Sequence, residues 1–268
     1  MNSFLKNTGT TFFIKVVSLS IDFISSVAIA RYLNPNNYGI YALVCLIPSL
    51  VTSIGSFGFG PAIIYHLGQK KVNPTKLFTS LMLMAIVLGS LYYFLLNYIF
   101  VDTINSFIIR DKFPLPLLKV STLIIPIVLI QKYLRKMLQG MNKIIEFSLI
   151  SNLLLSSLRL FFIVFAIFVF DLGLNGIIWT ILFSNFFVTF AIILIFKYYN
   201  LLSFKDLGLL NKEDFASLTK FAFKGHISSV LQKSNDGLVK LICYPLLSSA
   251  QFGYVSLGFQ MSNLLLTI

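Results

Sequence analysis

The chain has 268 residues, of which 57% are hydrophobic and only 11% charged, and its mean hydropathy is +0.88. Average soluble domains are roughly a quarter charged, so this composition excludes a soluble globular fold and indicates an integral membrane protein. The formal charge of +12 would point to nucleic acid in a soluble chain. Here no basic loop carries interleaved aromatics, and Lys and Arg are expected to gather in cytoplasmic loops, so nucleic-acid binding is excluded.

A spanning helix needs roughly 20 mostly apolar residues. The first run, 9–31, contains Lys15 and Asp22 and lacks an A-x-A-like cleavage site, so it reads as a retained helix and not a signal peptide. The second, 39–66, is interrupted by Pro48 and by the glycine-rich stretch Gly55–Pro61. Proline removes a backbone donor and glycine admits unusual dihedrals, so this run is predicted to kink or unwind. Broken backbone at membrane depth is tolerated only inside protein or beside water. The second helix is therefore expected to face an interior cavity, the alternative being a kink for packing alone.

Runs 77–100, 115–138, 147–170 and 175–196 complete six helices. Residues 197–221 are polar, and Asn211 followed by Glu213 and Asp214 marks a helix start. Phe215, Leu218, Phe221 and Phe223 follow at helical spacing, so an amphipathic helix is predicted at the cytoplasmic surface. A seventh run covers 222–246 and an eighth begins near 252. The runs are long and continuous, unlike the ten-residue alternations of membrane strands. The fold class is an all-α membrane protein, a polytopic helical bundle. Its expected organisation is a six-helix N-lobe (1–196), a linker (197–221) and the start of a repeated C-lobe (222–268).

Counting Lys and Arg in the connections gives thirteen on the N-terminal side and four on the other, which places the N-terminus in the cytoplasm. Lys132, Arg135 and Lys136 enter that count as charges of the fourth-to-fifth loop. Cys45 and Cys243 lie in apolar runs and read as packing residues. His66 and His226 have no ligand spacing around them, and no nucleophile, phosphate-loop or zinc motif occurs. The expectation is no enzyme, no cofactor and no metal.

Sliding the sequence by 214 residues superposes Asp22 on Asp236, Leu33 on Leu247 and Tyr38-Gly39 on Phe252-Gly253. Columns 20–54 hold seven identities in 35, a weak excess for so apolar a chain. The placement carries more weight, since both copies read polar helix, short outer turn, aromatic-Gly, apolar helix. Both enter from the same side, so the repeat is parallel and begins again after six helices.

At these residues the chain resembles a known group. Ala30-Arg31-Tyr32-Leu33-Asn34-Pro35-Asn36-Asn37-Tyr38-Gly39-Ile40-Tyr41 resembles the first periplasmic turn of Wzx-type polysaccharide (O-antigen) flippases. Gly58–Tyr65, Leu138–Lys143 and Phe252-Gly253-Tyr254 resemble three further segments of the same family. That family belongs to the multidrug/oligosaccharidyl-lipid/polysaccharide exporter superfamily. The resemblance implies two six-helix lobes around a central cavity, alternating access, and lipid-pyrophosphate-linked oligosaccharides as substrates. It implies an inner-membrane location, with lipid, a glycan polymerase and glycosyltransferases of polysaccharide or lipopolysaccharide biosynthesis as associates. The second copy of the turn ends 11 residues before Ile268, so the chain reads as a C-terminally truncated member.

Six ionisable residues fall inside helical runs: Lys15, Asp22, Arg159, Lys233, Asp236 and Lys240. A central charge costs roughly 2.5–3.5 kcal/mol on insertion scales, so such groups pair or face water. Lys15, Arg159 and Lys233 are the expected cations of a substrate path, because fixed cations offset the cost of carrying a diphosphate and Arg offers it a bidentate fork. Asp22, Asp236 and Lys240 are expected in ion coupling or in local charge balance. Four bases against two acids favour an anionic substrate over a cationic drug. A multidrug or peptidoglycan-precursor exporter, a membrane glycan polymerase and a non-functional fragment stay open as alternatives.

Overall fold

The computed structural model describes the backbone of residues 2–104, 106, 115–201 and 208–266. Side chains are described for the same residues except 2–6, 115, 228–229, 231–236 and 264–266. Helices α1 (Asn2–Tyr32), α2 (Pro35–Ile54), α3 (Phe59–Gly68) and α4 (Pro74–Phe94) come first. Next come α5 (Leu115–Thr122), α6 (Ile124–Gly140), α7 (Ile144–Ser148), α8 (Leu155–Phe168) and α9 (Gly173–Tyr198). Helices α10 (Lys212–Cys243) and α11 (Ser249–Leu266) end the described chain. No strand occurs among the described residues.

Among the described residues, six spans are long and apolar enough to cross a membrane: 7–32, 35–54, 74–99, 116–140, 144–168 and 173–198. Their outsides are apolar. Phe161, Phe165 and Phe168 on α8 and Phe183, Phe186 and Phe190 on α9 are exposed. Their buried faces carry polar groups, among them Ser25 and Ser26 on α1, Gln131 on α6 and Asn185 on α9. This inversion suits a solvent of hydrocarbon, where polar groups must be satisfied within the protein.

The second run is broken at its glycine-rich stretch and not at Pro48, which lies within α2. It ends as α2 at Ile54, passes through Phe57 (φ +47°) and Gly58 (φ +69°), and restarts as α3. A helix end leaves carbonyls without partners. Three neighbours supply them: Lys132 Nζ donates to Thr52 O (2.7 Å), Tyr92 OH to Gly55 O (3.3 Å) and Tyr133 OH to Ser56 O (3.5 Å). Gly58 has a second reason to be glycine. A Cβ there would collide with Ala222 O on α10, so the turn and α10 approach backbone to backbone. Close by, Tyr65 of α3 stacks on Phe221 of α10 at 4.5 Å, and His66 Nε2 lies 3.2 Å from Ser217 Oγ.

One continuous helix, α10, crosses the boundary that the sequence reading places between linker and seventh run at residue 221. No proline interrupts it, and Gly225 and Gly237 are too mild as breakers to end a helix of this length. Asn211 takes the N-cap backbone conformation (φ −62°, ψ 154°) without a capping side-chain bond.

The outer turns show the repeat in atoms. Asn34 caps α2 through Asn37 N (2.8 Å), and Ser248, its equivalent under the 214-residue shift, caps α11 through Gln251 N (3.2 Å). The two helices cross at Gly39 and Gly253, which are also equivalent. A Cβ on Gly39 would overlap Ser249 O, and one on Gly253 would lie 2.7 Å from Pro35 O. Pro35 and Ser249 are again equivalent, so the contact is reciprocal, as a contact across a two-fold axis must be. Tyr38 and Phe252 are buried on either side of this seam.

Candidate functional site: a cationic cavity and a cleft on the seam

A cavity of about 420 Å³ lies inside the six-span bundle. Helix α2 supplies one wall through Tyr41, Cys45, Ser49 and Thr52, near Pro48. Helix α6 supplies Ile124, Val128, Lys132 and Arg135, spaced by four, four and three on one helical face. Helix α8 contributes Leu155 and Arg159, just after a π-helical turn at Leu149–Leu154, and α9 contributes Asn185. No Asp or Glu is among the described residues that line it, whereas Lys132, Arg135 and Arg159 all do.

The cations are held differently. Lys132 is bonded to Thr52 O at the break of α2. Arg135 is braced by buried Gln131, through Nε to Gln131 O and Nη2 to Gln131 Oε1, both 3.3 Å. Gln131 is fixed in turn by donating Nε2 to Asn185 O (2.8 Å). Arg159 has a buried Nε without a hydrogen-bond partner in the protein. Buried guanidinium donors are costly to leave unmade, so this one is poised for an acceptor in the cavity.

A second cavity, a cleft of about 470 Å³, lies along the seam between α2 and α11. Its α2 wall carries Ala42, Leu46 and Ser49, and its α11 wall carries Ser256, Gln260 and Asn263. These are the same three positions of the repeat, which puts the cleft on the two-fold axis. Gln260 Oε1 accepts from Tyr38 OH (3.0 Å), and its Nε2 donates to Ser26 Oγ (2.5 Å).

The expected site residues are placed as follows. Arg159 lines the inner cavity and Lys240 the cleft, with its Nζ 4.9 Å above the Phe259 ring. Lys15 is exposed on α1 beside Phe12, Phe13 and Val16 and lines neither cavity, and Asp22 is half-buried on the same helix. Lys233 and Asp236 lie on α10, and their side chains fall outside the described residues. Lys132, Arg135 and Lys136 require correction: they are residues of α6, not of a loop. Lys132 and Arg135 face the inner cavity, whereas Lys136 donates to Gln139 Oε1 (3.0 Å). The spacing of Lys132 and Arg135 with Val128 was the signal that could have shown this.

The fold is shared with solved transporters. A multidrug resistance MATE family transporter of the MOP superfamily, solved in an outward-facing conformation, superposes with a TM-score of 0.65 at 13% identity, over 94% of this chain and 63% of that one. A MOP superfamily transporter from Pyrococcus furiosus, described as having a binding pocket of reverse polarity, superposes with a TM-score of 0.66 at 12% identity, again over 94% and 63%. A MATE transporter bound to MaD3S gives 0.65 at 13% identity, over 94% and 64%. At such identities the likeness is one of fold, and the chain spans about 63% of the length of these transporters. Residues 28–268 match the family described as "Polysaccharide biosynthesis protein", and the chain belongs to that family. No curated protein matches it.

Proposed function

We propose that the chain belongs to a transporter that flips a lipid-pyrophosphate-linked oligosaccharide across the inner membrane by alternating access, with its N-terminus in the cytoplasm. The observation that carries this reading is the inner cavity, lined by Lys132, Arg135 and Arg159 and by no described carboxylate. A lipid diphosphate carries about two negative charges through a region where anions are costly, and fixed cations in a polar cavity offset that cost. Membership of a polysaccharide-biosynthesis family supports a glycan-bearing cargo. A transporter for cationic drugs needs acids where this cavity presents bases. Reverse polarity of the binding pocket is also what sets the Pyrococcus furiosus transporter apart. Removing Lys132, Arg135 and Lys136 from the loop count leaves ten cations against four, so the orientation reading keeps its sign. Glycosyltransferases and a glycan polymerase acting on the same lipid are the expected partners.

The test is Arg159→Ala at the gene's own chromosomal locus, with surface glycan and lipid-linked intermediates measured together. The expected result is less surface glycan and intermediates held in the cytoplasmic leaflet. Unchanged surface glycan at a normal protein level would remove Arg159 from the substrate path.

A further inference from the structure

We infer that the two cavities divide one ligand, the inner cavity receiving its diphosphate and the cleft on the seam receiving its first sugars. This inference rests on the flippase reading and adds to it where each part of the cargo sits.

The cavities share a wall. Tyr41, Cys45 and Ser49 line both, and their spacing of four makes them one stripe along α2. A ligand reaching past that stripe touches both chambers. The inner cavity, about 420 Å³, is near the small end of ligand sites, roughly 300–1,000 Å³. Its volume suits a diphosphate, and the cleft adds about 470 Å³ beside it.

The chemistry on the two sides of the stripe differs. The inner cavity adds Lys132, Arg135 and Arg159 to its hydroxyl groups and Asn185, and the donors of those cations suit phosphoryl oxygens. The cleft offers hydroxyl and amide groups, which both donate and accept, as sugar hydroxyls require. Its single lining cation, Lys240, sits over the Phe259 ring. Both walls carry polar groups, Tyr38, Tyr41 and Ser49 on α2 and Ser256, Gln260 and Asn263 on α11, with Gln260 bonded to Tyr38 and Ser26. Where the first copy presents Ala42, Leu46 and Ser49, the second presents Ser256, Gln260 and Asn263. Each chamber also holds one buried polar atom without a protein partner: Arg159 Nε in the inner cavity and Ser256 Oγ in the cleft. One calls for an anion, the other for a neutral hydrogen-bonding group.

The test pairs Arg159→Gln with Ser256→Ala at the chromosomal locus. Surface glycan is measured in cells, and protein purified from them into nanodiscs is titrated calorimetrically with inorganic pyrophosphate and with a prenyl diphosphate. Arg159→Gln is expected to weaken both titrants by about tenfold or more, the loss of a charge-assisted contact. Arg159→Lys, which keeps the charge but loses the fork, is expected to fall between it and the wild type. Ser256→Ala is expected to keep both affinities within about twofold while lowering glycan export several-fold. Pyrophosphate is expected to displace the prenyl diphosphate. If Ser256→Ala weakens pyrophosphate as much as Arg159→Gln does, the chambers form one site and the division is wrong. Binding of pyrophosphate without binding of the prenyl diphosphate marks a site for free inorganic anion and also overturns it. Deletion of the gene without loss of surface glycan defeats the flippase reading itself, whatever the titrations show.

Discussion

Residues 34–49 and 248–263 make the same backbone move twice. An oxygen-bearing N-cap starts each helix, an aromatic-Gly pair packs each against the other, and three positions further along face the shared cleft. What differs is the lining, Ala-Leu-Ser on α2 and Ser-Gln-Asn on α11. The lesson is that backbone geometry and ligand chemistry are separable in this fold. The seam constrains Gly39 and Gly253 by close approach, while the lining residues a turn or more away are free to differ because they face space.

Substitutions at the seam should break the likeness most severely. Gly39→Val places a side chain on Ser249 O, and overpacking costs about 1–3 kcal/mol, the upper end applying where the opposing atoms are backbone. Gly253→Val should fall by a similar amount, since it meets Pro35 O. Gly9→Ala, with open space around it, should hold or gain up to about 1 kcal/mol from helix propensity. Thermal unfolding of the three variants in detergent checks this ordering, and a large difference between the two seam variants would break the symmetry.

Lys132→Met addresses a feature on the α2 side, the tie to Thr52 O at the broken helix end. Loss of a hydrogen bond from a charged donor costs about 1.5–3 kcal/mol, and faster amide exchange around residues 52–58 is the expected signature. Gln260→Leu gives the second copy the first copy's residue. It removes the bonds to Tyr38 and Ser26, each worth about 0.5–1.5 kcal/mol, and should reduce export more than it reduces stability. The smallest effect is expected from Tyr92→Phe, whose hydroxyl reaches Gly55 O at 3.3 Å. A loss of about 0.5–1 kcal/mol in the same melts is its measure.

Much of the scaffold was legible because hydrocarbon imposes long apolar runs, and because the glycine-rich stretch announces the break after Ile54. Residues 34–37 read as a turn ahead of a run beginning at 39, whereas Asn34 caps α2 and Pro35 opens it, and Gly39 lies where two helices approach most closely. Gly253 was legible as its repeat equivalent despite few identities, because equivalent backbone needs few identical side chains, but the contact between the two was not. Arg159 stood out as a charge in mid-run. Lys132 and Arg135 did not, since a cation near the end of a run looks the same in sequence whether it points to water or into a cavity. Only their spacing with Ile124 and Val128 separates the two cases. The cleft was illegible for another reason: Ser256, Gln260 and Asn263 are ordinary polar residues of a helix until α2 is laid across them.

The seam has a consequence for how such a protein can change over generations. Its tightest contacts are main-chain atoms, which every residue type possesses. Substitution cannot refine that joint; it can only obstruct it. Two halves of a duplicated gene joined in this way can drift in sequence until little identity remains, acquire different cargo-facing residues one at a time, and still close on each other as they did at the start.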